Sequence, residues 1–522
     1  MSVSDSLPNV DLLRWPIVGP FLRWRHARTS LQIGFLAAAV VVVLHGFFGP
    51  DVASANLATT LVWVHYRGFL VLALLAAGNL FCAGCPFIRV RDWGRLLHAP
   101  SRKRPSWLRG KWAAVGLFAA VLYTYELFDL WSLPLATTYL VLAYFVGALV
   151  VDLVFTGATF CKHLCPVGQF NFIASTLSPL EIRARDHGIC ASCQTVDCLK
   201  GRTPAPGLPP PRGYPGPGAG QKSFEKTSIG VADLNDSRAF REPPRGGGSP
   251  GAQRGCELQL FVPTKVGNLE CTFCFDCVQA CPYDNVALAT RIPGEELADD
   301  RRRSLIGRLS KRPDLAALAL VFTFGAFVNA FAMTSPVFGV EALLAWMLGT
   351  PREWPALLLI FAAGLITLPL VACGTAAAGT FLVSDRTRRV QTIAITYAYA
   401  LIPLGAGLWL AHYGFHFLTG AGTIVPVTQR AALDTFGRAV LGEPAWGWLG
   451  LKPGQVFPLQ IGAILLGALG SAILVQRISD RDHADRALAA AAPWMLLLAA
   501  LTGAALWILS QPMDMRGMGM LS

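Results

Sequence analysis

Nine apolar stretches, near residues 31–48, 60–81, 112–132, 135–157, 314–334, 354–377, 391–413, 458–476 and 489–510, dominate this chain. Each is long enough, at about 20 residues, to cross a bilayer as a helix. A soluble protein carries charge on about a quarter of its residues. Here 15% of 522 residues are charged and 53% are hydrophobic. The expected fold is an α-helical polytopic membrane protein of about nine transmembrane helices. A shorter stretch at 337–349 is expected to lie at the interface.

The placement of lysine and arginine orients these helices. The loop after the second stretch holds Arg89, Arg91, Arg95, Arg102, Lys103, Arg104, Arg109 and Lys111, while 49–59 holds none. Basic clusters recur at Arg301 to Arg303 and at Arg386, Arg388 and Arg389. The pattern puts the N-terminal segment 1–30 in the cytoplasm, the chain in the inner (cytoplasmic) membrane and the C-terminus outside. The net charge of +12 falls in these loops, so membrane lipid is an expected partner and nucleic acid is not.

A four-helix membrane region is expected over 31–157 and a five-helix region over 313–510, with a Met-rich tail at 511–522. Between them, 158–312 reads as a cytoplasmic domain holding most of the cysteines. Its segment 200–255, which includes GRTPAPGLPPPRGYPGPGAG, is too rich in Pro and Gly to pack and reads as an insertion.

Cys271, Cys274, Cys277 and Cys281, followed by Pro282, match C-x2-C-x2-C-x3-C-P. This short loop turns three thiolates onto one [4Fe-4S] cubane, and in two-cluster ferredoxins the fourth reaches a second cluster. A zinc knot would instead use two separated C-x-x-C pairs. If Cys281 crosses over, its cluster needs three more ligands, which Cys190, Cys193 and Cys198 supply. Cys256 then completes the set of Cys271, Cys274 and Cys277. The expected domain is a small α+β bacterial-ferredoxin-like unit carrying two [4Fe-4S] clusters, with a single-cluster reading left open by the C-x4-C spacing of Cys193 and Cys198 and by the absence of a proline after Cys256.

Two more pairs, Cys82 and Cys85 before Pro86 and Cys161 and Cys165 before Pro166, close the second and fourth apolar stretches. These four thiols are expected at one membrane face, able to hold a third cluster or act as redox dithiols. Lone Cys373 is expected to pack. Helices ending in C-x-x(-x)-C-P, followed by a ferredoxin-type domain, resemble the membrane polyferredoxins of the NapH, NosR and CcoG type over roughly residues 60–300. The first pair has two intervening residues where those families usually show three. The resemblance implies electron passage between a quinone pool, iron-sulfur centres and respiratory reductase or dehydrogenase subunits, or service in metal-centre assembly.

His45, His65, His412 and His416 fall near the opposite ends of the helices. Three readings stand open: ligands to a haem b, proton acceptors of a quinone site near Arg67, Glu126 and Asp129, or interfacial histidines hydrogen-bonded to their neighbours. A helix of about 20 residues rises about 30 Å, so these histidines and the membrane-end cysteines are expected on opposite faces. The tail residues Met513, Met515, Met518 and Met520 are soft donors that suit Cu(I). No NAD or FAD site is expected, because GALGS at 467–471 lies in an apolar stretch and follows no strand. The expected function is a membrane-bound iron-sulfur electron-transfer protein linking a quinone or cytochrome pool to a respiratory redox enzyme, with quinol dehydrogenase activity as its enzymatic form. The alternatives are a factor that reduces a metal ion for oxidase or reductase maturation, and an iron-sulfur redox sensor.

Overall fold

The computed structural model describes residues 10–202, 253–384 and 386–513. Most of the expected insertion at 200–255, and Met515, Met518 and Met520 of the tail, lie outside these residues. Arg202 and Gln253, which flank the insertion, exchange two backbone hydrogen bonds of 2.9 and 2.8 Å.

Eight helices among the described residues are long and apolar enough to cross a membrane: Ala27–Phe48, Leu57–Ala77, Pro134–Val154, Pro313–Phe331, Glu353–Val383, Val390–Thr419, Pro453–Asp482 and Ala484–Ser510. The protein is a multi-pass α-helical membrane protein. The remaining expected span, at 112–132, is helical only over Trp112–Leu127, 16 residues. It stops there because Asp129 takes a left-handed φ of 45°, and the chain turns toward Pro134, which opens the next helix at its first turn. The stretch at 337–349 is a helix, Ser335–Leu348, ended by Gly349 at a φ of 61°.

Pro313–Phe331 and Val390–Thr419 form the interior of the bundle, with 83% of their apolar windows buried against 22 to 33% in the other six. Trp409 Nε1 joins them by donating to Phe322 O at 2.8 Å. Pro453–Asp482 crosses Val390–Thr419 backbone to backbone. A Cβ on Gly467 would lie 2.5 Å from Pro403 O, and one on Gly407 would lie 2.5 Å from Ala463 O. The GALGS run is thus a crossing point of small residues.

The small domain rests on an antiparallel pair of strands, Leu180–Ala184 and Val286–Thr290, with short helices His187–Ala191, Asp197–Lys200 and Asp276–Ala280. Residues from the N-terminal segment, expected in the cytoplasm, close this domain. Asp11 Oδ2 accepts from Arg185 Nε at 2.9 Å, and Leu13 and Leu22 join Ile182, Phe273 and Phe275 in its apolar core. One part of the 158–312 stretch belongs to the bundle instead. Phe170, Phe172 and Ile173, on the helix Pro166–Ala174, pack in the same core as Phe322 and Trp409. The chain after Cys165 therefore turns back among the membrane helices.

Candidate functional site

Backbone conformation explains how closely spaced cysteines come to face one way. Glu270, Phe273 and Phe275 adopt φ of 62°, 50° and 60°, and Val196 in the other half adopts 54°. Bulky residues avoid this region, and strain of this kind persists where a site demands it. Each left-handed residue lies within two positions of a cysteine and reverses the chain around it.

The loops enclose two cavities. Cys256, Cys271, Cys274 and Cys277 line one small cavity. Cys190, Cys193, Cys198 and Cys281 line the other. These are the two crossed sets expected from the spacing. Val262 lines both cavities and forms a shared wall, and Cys256 N donates to Cys198 O at 3.0 Å beside it. Among the described residues, no group of three or more His, Cys, Asp and Glu is arranged to hold a metal ion.

The sulfurs carry N–H donors of the kind that stabilise cluster thiolates. Leu260 N donates to Cys256 Sγ at 3.3 Å and Asn285 N to Cys281 Sγ at 3.4 Å. Asn285 Nδ2 reaches across to Cys190 Sγ at 3.2 Å. Burial pushes the Cys198 thiol up to about 12, with Cys281, Cys190 and Cys193 adding to the effect. Burial and then Cys271 push Cys256 up to about 11. Thiols so crowded cannot all ionise unless a cation joins them, and a cationic iron-sulfur core satisfies that condition. The all-sulfur donor sets fit such a group.

Buried ion pairs fasten these loops to the membrane helices, a feature the sequence reading missed. Three carboxylates adjoin cavity cysteines in sequence, and each is held by cations from the bundle side. Glu257 pairs with Arg91 at 2.7 Å, Arg95 at 3.2 Å and Arg28 at 3.8 Å. Asp276 pairs with Arg28 at 2.7 Å. Glu270 pairs with Lys111 at 2.8 Å and Lys162 at 3.2 Å. Burial would raise Glu270, but Lys111 and Lys162 overcome it and hold the carboxyl far below the usual range. Acidic residues beside Cys256, Cys271 and Cys277 were the available signal.

The second group of thiols lies where the bundle meets the domain. Asn79, just after the Leu57–Ala77 helix, donates from Nδ2 to Cys271 O at 2.9 Å. Asn171 Nδ2 donates to Cys82 Sγ at 3.4 Å, and Gly168 N donates to Cys165 Sγ at 3.2 Å. None of Cys82, Cys85, Cys161 and Cys165 is joined in a disulfide.

The histidines divide into two kinds. His45 Nδ1 accepts from Leu57 N at 3.2 Å and holds the turn between the first two helices. His65 Nε2 meets Thr423 Oγ1 at 3.2 Å. His412 and His416 stand with ring centroids 5.0 Å apart and planes at 89°, and the Nε2 of each is buried without a hydrogen-bond partner. Arg67 lies beside them over the rings of Tyr413, Trp63 and Tyr125, at 4.4, 4.7 and 5.7 Å. The turn before it, Thr60–Tyr66, is a π-helix, which re-aims side chains relative to an α-helix.

Arg67 is midway along Leu57–Ala77, about 15 Å from either end at the α-helical rise. Trp409 is 4.8 Å from Tyr413 and 5.5 Å from Phe170 between ring centroids. Phe170 belongs to the helix that begins directly after Cys165, so two ring contacts connect that helix to the ring under Arg67. Cys373 is buried in the bundle core. Comparisons with family models, curated proteins and solved structures gave no match.

Proposed function

We propose that the protein is a membrane-bound iron-sulfur electron-transfer protein that links a quinone pool to a partner respiratory redox enzyme. The observation that carries this reading is the pair of four-cysteine cavities sharing Val262. A [4Fe-4S] cluster in each would supply a one-electron carrier. By charge placement the domain faces the cytoplasm. The thiols ligate, Asn285 and the backbone N–H groups stabilise the sulfurs, and Arg28, Arg91, Lys111 and Lys162 hold the loops against the bundle.

At the membrane end, geometry favours a quinone over a haem b held by His412 and His416. Residues four apart on one helix offer their rings from the same side, whereas two axial imidazoles must approach iron from opposite faces of the porphyrin. Rings 5.0 Å apart and edge-on leave no slot between them. Two buried imidazoles with free Nε2 atoms are suited to accept protons from a hydroxyl-bearing head group, and Arg67 adds a fixed positive charge.

Anaerobic mixing with a quinol analogue tests the reading. Bleaching of cluster absorbance, together with the appearance of paramagnetic reduced centres, is the expected result. Oxidation of pre-reduced clusters by Cu(II), with no response to quinol, would support the metal-reducing alternative instead.

A further inference from the structure

We infer that Cys82, Cys85, Cys161 and Cys165 ligate a third iron-sulfur cluster, between the buried histidines and the Cys271 cavity. The inference rests on the reading that the two cavities hold clusters, because the four thiols are built as those sets are.

The likeness is in local construction. Cys281 and Cys165 each precede a proline, and each sulfur accepts a backbone N–H from a few residues downstream: Asn285 N at 3.4 Å and Gly168 N at 3.2 Å. In each case an asparagine beyond the Cys-Pro step also reaches across to a cysteine on a distant segment. Asn285 donates to Cys190 at 3.2 Å and Asn171 donates to Cys82 at 3.4 Å. The donor joins the two halves of a crossed cysteine set in the first case, so it identifies Cys82 and Cys165 as the two halves of another.

The pairs are also built alike. Cys85 and Cys165 are the N-cap residues of Pro86–Leu97 and Pro166–Ala174, each with proline in the first turn. Cys85 lies within electrostatic reach of Cys82, Cys161 and Cys165. Thiolates here would meet compensating charge, since Arg91 and Arg28 lie near Cys85. Arg91 is 1% exposed and also binds Asp92, Asp152 and Glu257, so the surroundings hold both signs. Sulfur-only donors select iron-sulfur clusters, zinc or Cu(I). Among these, the likeness to the two cavity sets selects the cluster.

Placement gives the cluster a use. Cys82 is within electrostatic reach of Cys271, and Asn79 holds the Cys271 carbonyl. On the other side, the helix after Cys165 carries Phe170 to Trp409. A centre at these thiols divides the distance from the membrane pool to the Cys271 cavity into two shorter steps.

Iron and acid-labile sulfide, measured on the full chain purified anaerobically in detergent and after reconstitution with iron and sulfide, test the proposal. Three cubanes predict about twelve of each per chain. The double variant Cys82→Ser, Cys165→Ser is expected to hold about eight and to keep the paramagnetic signals of both cavities. About eight in the unaltered chain, alone or with one zinc or copper ion, overturns the third cluster and leaves the electron-transfer reading standing; about four or none overturns that reading too. Where the double variant fails to fold, Asn171→Leu serves. It keeps every ligand, so it should hold the full iron content while shifting the midpoint potential of one centre, and unchanged potentials overturn the assignment.

Discussion

Asn285 donates its side-chain N–H to the sulfur of Cys190, 3.2 Å away and 95 residues distant in sequence. Its own backbone N–H serves Cys281. One residue thereby joins the last cysteine of the later motif to the first cysteine of the earlier one, as the proposed crossed ligand set requires. Cys281→Ser is therefore expected to disable the centre of Cys190, Cys193 and Cys198 and to spare that of Cys271, Cys274 and Cys277. Electron paramagnetic resonance of the reduced variant decides this, and loss of the Cys271 signal would count against the crossing.

Glu270 neutralises Lys111 and Lys162 where little water reaches. Glu270→Ala leaves two buried cations unpaired, and removing one member of such a group costs about 3 to 5 kcal/mol. Thermal unfolding of the cluster-loaded protein should show a correspondingly lower midpoint. Adding Lys111→Met to the variant should recover part of the loss.

The free imidazole nitrogens predict a kinetic effect without a structural one. His416→Ala is expected to slow quinol-driven reduction of the clusters about 100-fold, the scale of a lost proton acceptor. Dithionite should still reduce the clusters completely. Equal loss with both reductants would assign His416 to packing.

Gly467 meets the backbone of Pro403 with no room for a side chain. Gly467→Leu should separate the two helices and cost about 1 to 3 kcal/mol through overpacking, read as a lower unfolding midpoint in detergent. Gly462→Leu, where a Cβ would meet nothing within 4 Å, should leave it unchanged.

The sequence by itself determined the membrane class and the approximate span of every long helix, because a bilayer imposes apolar runs that can be read within about 20 residues. It also pointed to the grouping of the cysteines, since C-x2-C-x2-C is a local pattern, and the cysteines so grouped line the same cavities. Tertiary structure decided what depends on contacts between distant segments. It shortened the 112–132 span through the turn at Asp129, used residues 10–26 to close the small domain, and turned Pro166–Ala174 back into the bundle. It also paired Glu257, Glu270 and Asp276 with cations far away in sequence, which no local pattern announces. The contacts that join Tyr413 through Trp409 to Phe170, on the helix that follows Cys165, belong to this second class as well, because they bring together segments far apart in the chain.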